Sequence, residues 1–215
     1  MSGLTPTQVA TFWQYMTHRF DASIIDKRNA VEMQLVSRLL DSIGIVDKDA
    51  FLQHFATTIG RRIYVPFEIG IPTVNWSLWG QIMVCTHECQ HIVQYDQLGP
   101  IKFAWKYTTN SAGRTRLEAE AYRCQLELNF WRTGQLLSAD DLASSLKSYG
   151  VTDTDLEVAE TFLRISGESV CRGPGDHRRR GRRLCGGVGR CPERPAGAID
   201  RGDRLDRRSA YGAGS

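Results

Sequence analysis

Hydrophobic residues recur at helical rather than strand spacing over most of the first 166 positions of this chain. A Thr5-Pro6 start signal precedes a predicted helix over Thr7–Phe20, and Ile24, Ala30, Val31, Leu35, Leu39 and Leu40 mark a second over Ser23–Ile43. A shorter third is predicted over Asp47–Thr57. No proline interrupts Trp76–Leu98, and Asn75 offers that helix an N-cap. Another helical stretch runs over Thr115–Arg132, Ser138 caps one that reaches Tyr149, and Thr152 or Asp153 caps a last one through Ile165. The best strand is Gly60–Phe67, short, rich in β-branched and aromatic residues, with Pro66 fitting an edge position better than a central one. Gly99–Gly113, which carries Trp105 and Tyr107 and ends Thr-Thr-Asn-Ser-Ala-Gly, reads as a loop of the kind that borders a cleft.

These elements predict one mainly helical α+β domain over residues 5–166, with a small antiparallel sheet. The composition changes beyond it. Residues 1–166 hold 15 Lys+Arg and 18 Asp+Glu, whereas residues 167–215 hold 12 Arg, no Lys and 6 acids. The overall +3 therefore hides an acidic body and a basic end. Eleven of the 20 glycines also fall in that last stretch, which has almost no apolar periodicity and is expected to be disordered, because it cannot bury enough surface to offset its ordering entropy. Two readings of this Arg/Gly-rich tail stand side by side: an arm for nucleic acid or another acidic surface, or an incidental run such as a shifted frame of GC-rich DNA encodes.

The chemistry is concentrated in His87-Glu88-Cys89-Gln90-His91, which matches the HExxH signature of zinc hydrolases. Residues four apart lie on one helix face, so two imidazoles at this spacing can hold one tetrahedral zinc ion. Glu88, one position on, can take a proton from a water at the metal without being a ligand. At about 100° per residue, Leu78, Ile82, Cys85, Cys89 and Ile92 gather on one side of the helix. His87 and His91 face the other way with Gly80, Val84 and Gln94, on a less apolar surface able to floor a cleft.

A catalytic zinc commonly takes three protein ligands. Glu118 and Glu120 are the candidates for the third, and two residues apart on a helix they point in different directions. Glu120 shares its side with Arg116, Arg123 and Glu127, the pattern of a salt-bridged solvent face. Glu118 lies between the stripe of Leu117, Ala121, Cys124 and Leu128 and that of Tyr122, Leu126 and Phe130, where a bare carboxylate is disfavoured and a divalent cation would compensate it. This geometry favours Glu118.

HECQH followed by Glu118-Ala-Glu120-Ala resembles the gluzincins, above all the small minigluzincin-like peptidases of bacteria and phages, over about residues 60–133. The resemblance implies a zincin-like domain with an active-site helix and a glutamate helix, Zn²⁺ on His87, His91 and Glu118, and hydrolysis of peptide bonds with Glu88 as general base. It implies too that a strand beside the cleft pairs with extended substrate, which the Gly60–Phe67 segment would supply through exposed main-chain groups. His91-Ile-Val-Gln94 looks like the HExxHxxQ variant of such proteins. One position departs: many relatives carry Asp where this chain has Tyr122, and that Asp orients a ligand histidine. Tyr107, Tyr122 and Arg114 are candidates to stabilise a transition-state oxyanion.

Two other readings compete with the peptidase. One is a catalytically inactive zinc-binding domain used for protein interaction. The other is a di-iron carboxylate bundle, for which Glu88-x-x-His91 would be half a site, but the chain has no second Glu-x-x-His. Expected partners are a peptide or protein substrate, no membrane, and nucleic acid only through the tail. His18 and His54 have no partner at ligand spacing. Cys85, Cys89 and Cys124 fall on packing faces and read as reduced thiols, while Cys171, His177, Cys185 and Cys191 match no C-x₂-C zinc pattern. With no signal peptide and no transmembrane span in the pattern, the expected location is cytoplasmic.

Overall fold

The computed structural model describes residues 3–31, 33 and 55–172. It is mainly helical with a small sheet, an α+β arrangement. Helix α1 spans Pro6–Arg19, started by a capping box in which Thr5 and Gln8 satisfy each other's backbone N–H groups. Strand β1 follows at Ser23–Asp26, inside the segment expected to be helical. Its two consecutive β-branched residues, Ile24 and Ile25, suit a strand, and pairing with a distant segment outweighs the weak helical periodicity. Lys27–Asn29 form a single 3₁₀ turn after β1, and most of what remains of that expected helix, like most of the one expected over Asp47–Thr57, lies outside the described residues. Thr57 itself opens strand β2, Thr57–Ile59, which turns through Gly60 into β3, Arg62–Val65.

The sheet order is β1-β3-β2, with β1 parallel and β2 antiparallel to β3. It is therefore mixed rather than antiparallel. The strand expected at the edge, β3, is central among the described residues. Pro66 does not obstruct this, since it follows the last paired residue, Val65.

Helix α2, Leu78–Leu98, is capped by Ser77 rather than Asn75. Its apolar side carries Ile82, Cys85, Cys89 and Ile92 into a core with Val9 and Trp13 of α1, Ile63 and Val65 of β3, and Phe67. Gln81 pins the preceding loop, accepting from Gly70 N and donating to Ile71 O, both at 2.8 Å. Cys85, Cys89 and Cys124 are free thiols.

The segment expected to be a loop after Gly99 forms helix α3, Pro100–Thr109, with Pro100 in the first turn where a missing N–H does no harm. Helix α4, Ser111–Thr133, starts at an Asn110 cap, four residues before the predicted start. The two helices meet so closely that a Cβ on Gly113 would sit 2.8 Å from Lys106 O, so a side chain there would push α3 off α4. Arg114 bolts the corner, donating to Tyr107 O at 2.6 Å and Gly150 O at 3.1 Å.

Helix α5, Ala139–Ser145, runs into a 3₁₀ turn over Leu146–Tyr149, and helix α6 spans Asp153–Arg172 with Thr152 accepting from Asp155 N. Ala119, Ala143, Leu146, Ala159 and Leu163 form a second core that braces α4 from behind. Helix α6 passes the boundary expected at residue 166, because Ser166 and Gly167 are buried, Gly167 against Leu126 and Leu136. The remainder of the expected tail lies outside the described residues. No helix among the described residues is long and apolar enough to cross a membrane.

Candidate metal centre

Helix α2 is apolar toward α1 and β3, which forces His87 and His91 onto its other side, and there α4 packs. Both histidines are buried and their rings meet edge to face, 4.9 Å between centroids. Glu118 projects from α4 into the same place and is 1% exposed. The Nε2 atoms of His87 and His91 are 3.2 Å apart, Glu118 Oε2 lies 3.1 Å from His87 Nε2, and Glu118 Oε1 lies 3.5 Å from His91 Nε2. Among the described residues these three form the group of His, Cys, Asp or Glu side chains placed to hold a metal ion.

Donor spacing tests whether an ion fits. Ligands about 2.0–2.1 Å from a tetrahedral centre stand roughly 3.3 Å from one another; the two Nε2 atoms are 3.2 Å apart, and each has a different oxygen of Glu118 at 3.1 or 3.5 Å, close to that value. The donor chemistry agrees, since two imidazole lone pairs aimed at each other repel unless a proton or a cation lies between them. A buried His87, His91, Glu118 cluster can therefore bind a metal ion. Glu120, the other carboxylate considered, turns outward to Arg116 at 3.0 Å.

The surroundings orient the donors. Gln94 Oε1 lies 2.9 Å from His91 Nδ1, while its amide donates to Leu117 O at 2.8 Å and Glu120 Oε2 at 3.1 Å. The glutamine carbonyl thus requires a proton on His91 Nδ1 and leaves Nε2 for a metal. Tyr107 donates to Glu118 Oε1 at 2.7 Å. Burial, reinforced by the Glu118 charge, pushes the Tyr107 phenol well up, so it stays a donor. His87 has no such support: its Nδ1 is buried without a hydrogen-bond partner among the described residues, and the ring packs edge to face on Tyr122, 4.9 Å between centroids. The atom left unserved is thus the second ring nitrogen of a candidate ligand histidine, whose Nε2 faces Glu118 and His91, and Tyr122 packs against that ring.

Burial disfavours charge on both His91 and Glu118, yet each is held charged by the other. Against its desolvation, His91 is pushed up to about 9 by the Glu118 carboxylate, and Glu118 is driven far below the usual carboxylate range by the two histidines. These values describe the metal-free chain, in which protons occupy the place a cation would take.

Glu88 is buried beside His87, and the two line a cleft of about 550 Å³ together with Trp76, Val84, Tyr122 and Tyr149. Thr58 of β2 donates to Glu88 Oε2 at 2.8 Å. Of the three oxyanion candidates, Tyr107 is committed to Glu118 and Arg114 to two carbonyls, whereas Tyr122 lines the cleft, hydrogen-bonded there to Tyr149 and Ser145. Sequence reasoning overlooked Thr58 and Tyr149, because each reaches the site through contacts far away along the chain. Helix periodicity did flag Gln94 as sharing the histidine side. His18 is exposed and apart from the centre, and His54 lies outside the described residues. Comparison of the chain with protein-family models, curated proteins and solved structures finds no significant match.

Proposed function

We propose that this chain is a zinc-dependent peptidase of gluzincin type built on a minimal zincin-like domain. The observation that carries the reading is the convergence of His87, His91 and Glu118, with His87 and its neighbour Glu88 lining a cleft. Two imidazoles and a carboxylate are a donor set suited to Zn²⁺, with the remaining position left to water or substrate. A bound zinc ion would supply Lewis acidity, making water a nucleophile near neutral pH and polarising the scissile carbonyl.

The protein groups do the rest. His87, His91 and Glu118 hold the ion, with Gln94 and Tyr107 fixing His91 and Glu118. Glu88 takes the proton of the attacking water and passes it to the leaving amine. Tyr122, lining the cleft, is the oxyanion donor best placed among the three candidates. Strand β2 borders the cleft through Phe55 and Ala56 just before it and is an edge strand among the described residues, so its main chain is available to pair with an extended peptide. This favours unstructured peptide substrates read mainly through their backbone.

The test measures metal content and cleavage of an unstructured protein by wild type and Glu88→Gln. Wild type should carry zinc and cleave; Glu88→Gln should keep the metal and lose at least about 100-fold in rate. Activity retained in the variant overturns the mechanism. Full zinc occupancy with no cleavage by wild type would instead identify an inactive zinc-binding domain used for protein interaction.

A further inference from the structure

We propose that Thr58 is a positioning residue for Glu88: strand β2 carries one hydroxyl whose role is to fix the carboxylate that acts as general base. This deepens the peptidase reading and rests on it. Thr58 Oγ1 is 2.8 Å from Glu88 Oε2 and 3.3 Å from Glu88 O, and since a hydroxyl has one hydrogen, the shorter contact to the charged acceptor takes it. One carboxylate oxygen is thereby tied and the side-chain torsions are restricted, while Oε1 stays available as the proton acceptor. A glutamate otherwise samples several rotamers, and a base must lie within hydrogen-bond reach of the proton it removes.

The strand that delivers this hydroxyl is itself held. Successive residues of a strand point to opposite faces, and here Thr58 turns to Glu88 while Thr57 turns to Lys27. Lys27, fully buried after β1, donates from Nζ to Thr57 Oγ1 at 2.8 Å and to Phe55 O at 3.0 Å. Pairing of Thr58 with Ile63 of β3 fixes the register from the other side. Strand β2 has only three residues, so these ties supply the rigidity that its own ladder cannot.

The experiment compares Thr58→Val, which keeps the shape and removes the hydroxyl, with Thr58→Ser, which restores the hydroxyl. Thr58→Val should lower kcat by about tenfold, the worth of one charged hydrogen bond, with KM and zinc content unchanged, and Thr58→Ser should recover most of it. In a Glu88→Gln background Thr58→Val should cost nothing further. Independently of activity, the metal-free protein should show coupling: the drop in Tm caused by Thr58→Val disappears when Glu88 is Ala. If wild type cleaves while Thr58→Val keeps its kcat, the proposal is overturned, as it is by strictly additive Tm shifts. If wild type cleaves nothing, the peptidase reading falls, and the Tm cycle still decides whether Thr58 holds Glu88.

Discussion

Gln94 Oε1 accepts from His91 Nδ1 at 2.9 Å, and the same glutamine's amide is anchored on Leu117 O of the glutamate helix, so one side chain sets a ligand ring and ties it to the helix that supplies Glu118. Replacing it with leucine removes these bonds and the one to Glu120 while keeping most of the volume. Gln94→Leu should lower metal affinity by about 10–100-fold, read by chelator competition. An unchanged affinity would leave Gln94 without a role at the centre.

His87 lacks the equivalent support, its Nδ1 being buried without a partner among the described residues, with Tyr122 packed against the ring. Tyr122→Asp places a carboxylate acceptor beside that ring. Metal affinity should rise by about tenfold, while Tm falls because an aromatic side chain leaves the packing between α4 and the α5 turn. Weaker metal binding in a folded variant would show that the tyrosine ring itself holds His87.

The two glutamates of α4 should separate cleanly. Glu118→Ala removes a buried donor and should abolish stoichiometric metal binding, whereas Glu120→Ala removes a half-buried partner of Arg116 and Gln94 and should leave occupancy intact, with a stability change within about 1 kcal/mol. Tyr107→Phe should fall between them, because Glu118 Oε1 loses its 2.7 Å donor without losing its charge. Elemental analysis of the three variants decides the order.

Acid and metal compete for the same atoms. His91, ordinarily near 6.5, is pushed up to about 9, so in the metal-free chain its stabilising contribution is complete below about 6.5 and is lost as pH rises through 9. Glu118 is depressed from 4.5, so its contribution is present above that value and is lost as the solution is acidified. The pair thus favours the metal-free fold most between these two ordinary values. Metal uptake must displace the His91 proton, so apparent affinity should rise about tenfold per pH unit toward pH 9, with about one proton released per ion. Calorimetry in buffers of different ionisation enthalpy counts that proton; a flat affinity between pH 6 and 8 would contradict the exchange.

Much of the centre was legible in the chain because helices write their faces locally. The apolar positions Ile82, Cys85, Cys89 and Ile92 sit at helical spacing, so the opposite placement of His87 and His91 followed from the winding angle, and the same reasoning turned Glu120 toward Arg116. Where the pattern was local but weak, it misled. Ile24 fitted a helical stripe and forms a strand with Ile25, and Gly99–Gly113 looked like a loop because Trp105 and the Thr-Thr-Asn-Ser run hid the short helix that carries Phe103 and Tyr107 inward.

The sequence by itself determined which residues share a helix face, and hence the candidate donors His87, His91 and Glu118 with Glu88 beside them, because a helix repeats over a few residues and needs no distant partner. Only the tertiary structure decided the rest. The packing of α4 on α2 brings Glu118 within 3.1 Å of His87 from 31 residues away, and the pairing of β2 with β3 sets Thr58 on Glu88 from 30 residues away. Such contacts depend on how elements dock and which strand lies at the edge, and those are settled by burial and hydrogen bonding over the whole domain rather than by local spacing.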